Sequence, residues 1–143
     1  MQLTRHTDFS LRVLIYLSLN KNEKLVTINE ISSHFNILKN HLTKVVNNLS
    51  QQGFIKTTRG KNGGISLALR ADEINLGDVV RATEVNMKII DCSKPPCPLT
   101  GFCELKNILN EAQQNFLNTL DKYTLADLNT QEQIFKNLLH YPI

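Results

Sequence analysis

Apolar positions recur every three or four residues along several stretches of the chain, and this rhythm predicts most of the elements. Leu11, Leu14, Ile15 and Leu19 fall on one face of a helix over residues 8–19, with Asp8, or Thr7 before it, placed to cap its start. The polar run Lys21-Asn22-Glu23-Lys24 reads as a connector. Thr27-Ile28-Asn29-Glu30 then has the spacing of a capping box, in which a hydroxyl and a carboxylate three residues apart satisfy free amides reciprocally. It opens a short helix with Ile28, Ile31 and Phe35 facing inward. After a turn at Asn36-Ile37, a third helix runs to about Gln52 and stops at Gly53, a residue suited to the left-handed cap. Its apolar stripe is Leu42, Val45, Val46 and Leu49. Asn40, Lys44, Asn47 and Gln51 lie opposite, with His41, Thr43 and Asn48 beside them.

The pattern then changes. Residues 54–58 and 65–69 are β-prone runs joined by Arg59-Gly60-Lys61-Asn62-Gly63-Gly64. A hairpin directly after a short helix, a tight turn and a polar-faced helix predicts a winged helix-turn-helix. A nucleotide-binding glycine loop is a poor alternative. Neither GxGxxG nor GxxxxGK[ST] is present, and a hairpin surrounds the glycines instead of a strand-to-helix turn.

Further on, Asn75 can cap a short helix carrying Leu76, Val79 and Val80 on its apolar side. Residues 91–103 cannot be regular, because Pro95, Pro96, Pro98 and Gly101 interrupt them. A long helix follows from Glu104, with Leu105, Ile108, Leu109, Ala112, Phe116 and Leu120 in one stripe that Leu117 widens. At about 27 Å it outreaches a small winged domain, so its stripe is expected to pair with a second copy in an isologous homodimer. The alternative is an intramolecular bundle with the first helix and a tail helix near residues 131–139. The expected fold is mainly α: a winged helix-turn-helix with a small β-hairpin wing plus a long C-terminal dimerisation helix. Residues 1–74 would form the DNA-binding domain and residues 75–143 the sensor loop and dimer region.

Composition sharpens the partner class. The 143 residues are 41% hydrophobic and 20% charged, enough for a real core and unlike a disordered tail. No apolar run approaches membrane-spanning length and the N-terminus lacks an apolar h-region, so the expectation is a cytoplasmic protein with no membrane partner. The net charge of +3 is unevenly spread: residues 1–70 carry +7 and residues 71–143 carry −4. A basic front half suits a polyanion, here double-stranded operator DNA. The exposed face of the third helix offers Lys39, Asn40, His41, Thr43, Lys44 and Asn47, amides and cations of the kind that meet base edges and phosphates. In the wing, Arg59, Lys61 and Asn62 can reach a phosphate or a narrow minor groove.

The three cysteines, Cys92, Cys97 and Cys103, sit within twelve residues as C-x₄-C-x₅-C. An odd count argues against a disulfide framework. There is no second pair and no nearby histidine to complete a structural zinc site; His6, His34, His41 and His140 are distant. The spacing leaves an iron–sulfur cluster with a fourth ligand from elsewhere, a redox thiol, or inert or zinc-bound cysteines. Cys103 also falls at the start of the long helix, where the dipole favours an anion. A thiol-redox enzyme would want C-x-x-C and a substrate cleft, and neither is evident.

Several segments together are distinctive: Met1-Gln2-Leu3-Thr4 followed by Thr7-Asp8-Phe9, the wing sequence, Gly77-Asp78-Val79-Val80-Arg81, the three cysteines, and Tyr123-Thr124-Leu125-Ala126-Asp127-Leu128. In this combination the chain resembles the NsrR group of nitric-oxide-sensing repressors within the Rrf-two-type winged-helix regulators, from Met1 to about Leu128. The resemblance implies a dimeric repressor, not an enzyme. It also implies an iron–sulfur cluster, [4Fe-4S] with [2Fe-2S] as the alternative, held by Cys92, Cys97 and Cys103, and nitric oxide as effector. Members of the group can complete the cluster with an acidic residue near the other subunit's N-terminus, and Asp8 stands at that position; as a plain helix cap it would need no such role. The sister IscR-like group, regulators of iron or cysteine status on the same fold, usually has five residues between the first two cysteines, where this chain has four.

Overall fold

The computed structural model describes residues 2–20, 24–131 and 137. Its first helix, α1 (Arg5–Leu19), starts earlier than the apolar rhythm indicates. Thr4 is the N-cap: it holds the extended backbone a cap needs, and its hydroxyl accepts the amide of Thr7 at 3.3 Å. Thr7 and Asp8 are therefore not caps, because both are already helical. Thr7 is buried, and Asp8 lies in the first turn with its carboxylate 3.0 Å from Arg12 Nε. The buried face is also rotated from the predicted stripe. Val13, Leu14, Leu17 and Leu19 are buried, whereas Leu11 and Ile15 are half-buried at the edge of the core. Thr7 and Ser10 extend that face toward the N-terminus, where Ser10 Oγ donates to the His6 carbonyl at 2.8 Å.

Helix α2 (Ile28–Phe35) forms behind the predicted capping box, and both of its reciprocal bonds are present. It ends at Asn36 in the left-handed conformation. Helix α3 (Lys39–Gln51) buries Leu42, Val45, Val46 and Leu49 as expected, and Gly53 follows with φ +81°. The strands β1 (Ile55–Thr58) and β2 (Gly64–Leu67) pair antiparallel, Ile55 opposite Leu67 and Thr58 opposite Gly64. Val26 bridges to Ile65 through two backbone bonds of 3.0 and 2.7 Å, tying the segment before α2 to the wing. Gly64 permits this approach, since a Cβ there would lie 2.8 Å from the Leu25 side chain and the Val26 carbonyl.

A short 3₁₀ helix (Ala71–Glu73) leads to α4 (Leu76–Thr83), capped by Asn75, whose Oδ1 accepts the amides of Gly77 and Asp78. Helix α5 (Glu104–Leu120) begins where predicted. A second 3₁₀ helix (Leu125–Gln131), which the apolar rhythm does not reveal, packs against α1 and buries Leu125 completely. One cluster joins Leu14, Ile31, Leu42, Leu49, Ile65, Ile74, Val79 and Leu125 into the core. The end of α5 is pinned to α4 by Arg81, whose guanidinium donates twice to the Asp121 carboxylate at 2.7 Å. Residues 21–23 of the connector, most of the expected tail helix, and His140 lie outside the described residues.

Candidate nucleic-acid interface and cysteine loop

Lys39, Asn40, His41, Thr43, Lys44 and Asn47 are all exposed on α3, and Arg59, Lys61 and Asn62 are exposed at the turn of the wing. Helix α3 packs directly on β1, so both sets belong to one contiguous piece of structure. None of Lys39, Lys44, Arg59 and Lys61 forms an ion pair with another described residue, which leaves their charge available to an external anion. Two side chains are partly committed. His41 makes an edge contact with the Phe9 ring, centroids 6.2 Å apart, and Thr43 Oγ1 donates to the Lys39 carbonyl at 2.9 Å. Asn48 turns inward instead, half-buried, with its Oδ1 3.3 Å from His6 Nε2. Through that contact α1 braces the recognition helix.

The cysteine loop is irregular, as its prolines and glycine require. It contains a cis Lys94–Pro95 bond and Gly101 at φ +102°. The Cys97 amide donates to the Cys92 carbonyl at 3.0 Å, and the Thr100 amide donates to the Cys97 carbonyl at 3.1 Å. Asp91 accepts from the Ser93 hydroxyl and amide, which holds its carboxyl below the usual aspartate range. All three cysteines are free and half-buried, and Cys103 is the N-cap of α5. The donor chemistry fits iron, since soft thiolates on one loop are what an iron–sulfur group needs. Among the described residues, however, no three His, Cys, Asp or Glu side chains are gathered closely enough to hold a metal ion. Phe102, 93% exposed, stands in water beside Cys103.

A contact that no sequence pattern announces ties the end of α4 to the start of α1. Glu84, at the end of α4, accepts the Thr4 amide at 2.6 Å and the Thr4 hydroxyl at 3.0 Å. Burial pushes the Glu84 carboxyl up, but hydrogen bonds from Thr7 and Thr4 and the charge of His6 outweigh it and hold the group below its ordinary value. The N-terminal segment before α1, the segment after α4 and α5 enclose a cleft of ≈440 Å³ lined by Leu3, Glu84, Met87, Ile89 and Phe116. No helix among the described residues is long and apolar enough to cross a membrane.

A capped short helix, a turn, a polar-faced second helix and a basic hairpin define a winged helix-turn-helix, the frame of a DNA-binding regulator. Comparison with known proteins makes this specific. The Rrf2 family profile, described as an iron-dependent transcriptional regulator, matches residues 3–131. The chain belongs to the Rrf2 family, and is thus a DNA-binding transcriptional regulator and not an enzyme. It is 44% identical to the HTH-type transcriptional regulator NsrR of Halalkalibacterium halodurans, with 97% of each chain covered. It is 45% identical to the NsrR of Bacillus subtilis, with 96% of this chain and 97% of the relative covered. The resemblance to the NsrR group thus extends over nearly the whole chain. The fold is shared with CymR, the global cysteine regulator of B. subtilis: TM-score 0.76, 23% identity, 92% of this chain and 98% of that one covered. It is shared also with T. potens IscR, at TM-score 0.74, 21% identity, and 92% and 88% coverage.

Proposed function

We propose that this chain is an iron–sulfur-dependent repressor that binds operator DNA as a homodimer and releases it in response to nitric oxide. The observation that carries the reading is the cysteine loop: three free, half-buried thiols between Cys92 and Cys103, in a chain whose full-length relatives are named NsrR. Cys92, Cys97 and Cys103 would hold the cluster, [4Fe-4S] in preference to [2Fe-2S], with Asp8 of the partner subunit as fourth ligand. When bound, that group supplies iron open to attack by nitric oxide.

The chain's own residues provide the rest. The N-terminal part of the α5 stripe is uncovered in the single chain, with Leu105 56% and Ile108 58% exposed while Leu117 is buried, which supports pairing with a second copy through that part. Lys39, Asn40, His41, Thr43, Lys44 and Asn47 face outward for the major groove, and Arg59, Lys61 and Asn62 for the backbone or minor groove. Asp8 sits in the first turn of α1, paired with Arg12, and α1 packs on both α3 and α4. A change in what Asp8 binds therefore bears on a helix that braces the recognition helix, coupling two distinct sites. Glu84 gives a second route within one subunit, from the segment leading to the cysteines to the cap of α1.

The test is anaerobic purification, with an absorbance spectrum and operator binding measured before and after nitric oxide. Iron–sulfur absorbance that Cys97→Ala abolishes without loss of helicity, and DNA release by nitric oxide, are expected. DNA release by iron or cysteine status, with nitric oxide ineffective, would make the chain a different kind of sensor on the same fold. Full iron and sulfide content in Cys97→Ala would remove that residue from the ligand set.

A further inference from the structure

Leu38 does not fit its position by the rule that α1, α2 and α4 follow. It is the N-cap of α3, with φ −58° and ψ 134°, and its carbonyl accepts the amides of His41 and Leu42 at 3.0 and 3.2 Å. N-cap positions favour Ser, Thr, Asp and Asn, whose oxygens satisfy a free amide. Helices α1, α2 and α4 follow this rule with Thr4, Thr27 and Asn75, whereas α3 has no side-chain cap. Leu38 does not compensate by packing. It is 72% exposed, while its neighbour Ile37 is 6% exposed and belongs to the core. The side chain thus serves neither the cap nor the core.

A lone exposed leucine is ordinary on a protein surface, so exposure decides nothing by itself. Its surroundings do. Leu38 immediately precedes Lys39 and Asn40 and lies a turn or so before Thr43 and Lys44, on a helix whose cations are not paired with other described residues. In helix-turn-helix proteins the first residues of the second helix reach the base edges. The major groove presents one large apolar feature, the C5-methyl of thymine. We propose that Leu38 is a specificity-determining residue that reads a thymine methyl in the operator, beside polar neighbours that read hydrogen-bonding groups. The inference rests on the DNA-binding part of the function proposed above, and not on the cluster or its effector.

Deoxyuridine, which differs from thymidine only by that methyl, isolates the contact. The full-length protein, purified anaerobically, is used to enrich duplexes from a random pool. Each thymine of the enriched sequence is then replaced in turn by deoxyuridine. For the wild type, one thymine under each recognition helix should be sensitive, its replacement weakening binding about fourfold, the worth of one buried methyl-sized group. Leu38→Ser should bind the thymine and uracil duplexes equally, and Leu38→Met, still apolar, should keep the preference. Because serine can cap, Leu38→Ser should melt no lower than the wild type.

Uniform tolerance of deoxyuridine by the wild type would overturn the proposal. So would an unchanged thymine preference in Leu38→Ser, or a fall in its Tm showing that Leu38 holds the fold after all. Failure of the wild type to enrich any sequence would instead strike at the DNA-binding reading itself, and the role of Leu38 would fall with it.

Discussion

Gly77→Ala tests how α5 is fixed to the rest of the molecule. Gly77 is buried in the first turn of α4, and a Cβ built there would overlap Asp121 Oδ1 and lie 2.8 Å from Arg81 Nη1. To make room, the Asp121 carboxylate must swing away from the guanidinium that now donates to it twice at 2.7 Å. Two opposing effects then act on Gly77→Ala. Replacing a helical glycine by alanine gains up to about 1 kcal/mol, because glycine loses more backbone freedom on folding. Forcing a methyl into filled space costs about 1–3 kcal/mol. The expected net result is between no change and a loss of about 2 kcal/mol. In an Asp121→Ala background the carboxylate is gone and Arg81, no longer held by it, can move aside, so Gly77→Ala should stabilise by up to about 1 kcal/mol. Urea or thermal unfolding of the four proteins of this cycle measures the difference. Additivity within about 0.3 kcal/mol would refute the reasoning, since it would mean that Gly77 and Asp121 do not meet. A gain in the wild-type background as large as in Asp121→Ala would refute it equally.

Three further outcomes are expected. Glu84 has its carboxyl held below the ordinary value in the folded protein, so its contribution to stability is fully present above the unfolded glutamate pKa and is lost as pH falls through the folded one. Glu84→Gln should therefore flatten the acid side of a plot of Tm against pH; an unchanged acid limb would count against the Thr4–Glu84 link. Arg59→Ala or Lys61→Ala should weaken DNA binding broadly and reduce the slope of log affinity against log salt by about one; normal slopes would remove these residues from the interface. Asp8→Asn keeps the size of the side chain but removes the anionic oxygen, so it should alter the cluster's spectrum or its response to nitric oxide, and a wild-type spectrum and response would exclude Asp8 as a ligand.

The elements were legible wherever their determinants are local. The capping box at Thr27 and Glu30, the stripe of α3, Gly53 and the Asn75 cap each depend on residues within one or two turns, and each is found where the pattern places it. The start of α1 was misplaced for a physical reason. Its first two turns bury the polar Thr7 and Ser10, so the apolar rhythm starts late and places the helix at residue 8 instead of Arg5. Thr4 itself is a preferred N-cap type directly before the helix, but no Glu or Gln follows three residues later to mark it as a capping box. The 3₁₀ helix over Leu125–Gln131 was hidden more deeply. Leu125 is fully buried because α1 and Ile74 close over it, a contact between residues about fifty or more apart that no local period encodes.

The site shows the same division between chemistry and placement. Exposure of the six α3 residues follows from a helical period, and exposure of Arg59, Lys61 and Asn62 follows from a hairpin turn. Asn48 differs because it lies between the two faces, where the side chain's fate depends on what approaches, and His6 of α1 does. Leu38 escaped a search that looked for polar residues on a polar face. Its signal was nonetheless in the chain: alone among α1 to α4, α3 is preceded by a residue that cannot cap. For the cysteines the sequence names three candidate donors and places Cys103 at the start of α5, while the bond from the Cys97 amide to the Cys92 carbonyl is visible only in the fold. The α5 stripe makes the point most directly. Leu105 and Ile108 repeat as regularly as the buried residues of α3, yet they are exposed. Periodicity marks a face as apolar, and only the fold shows whether this chain itself covers it.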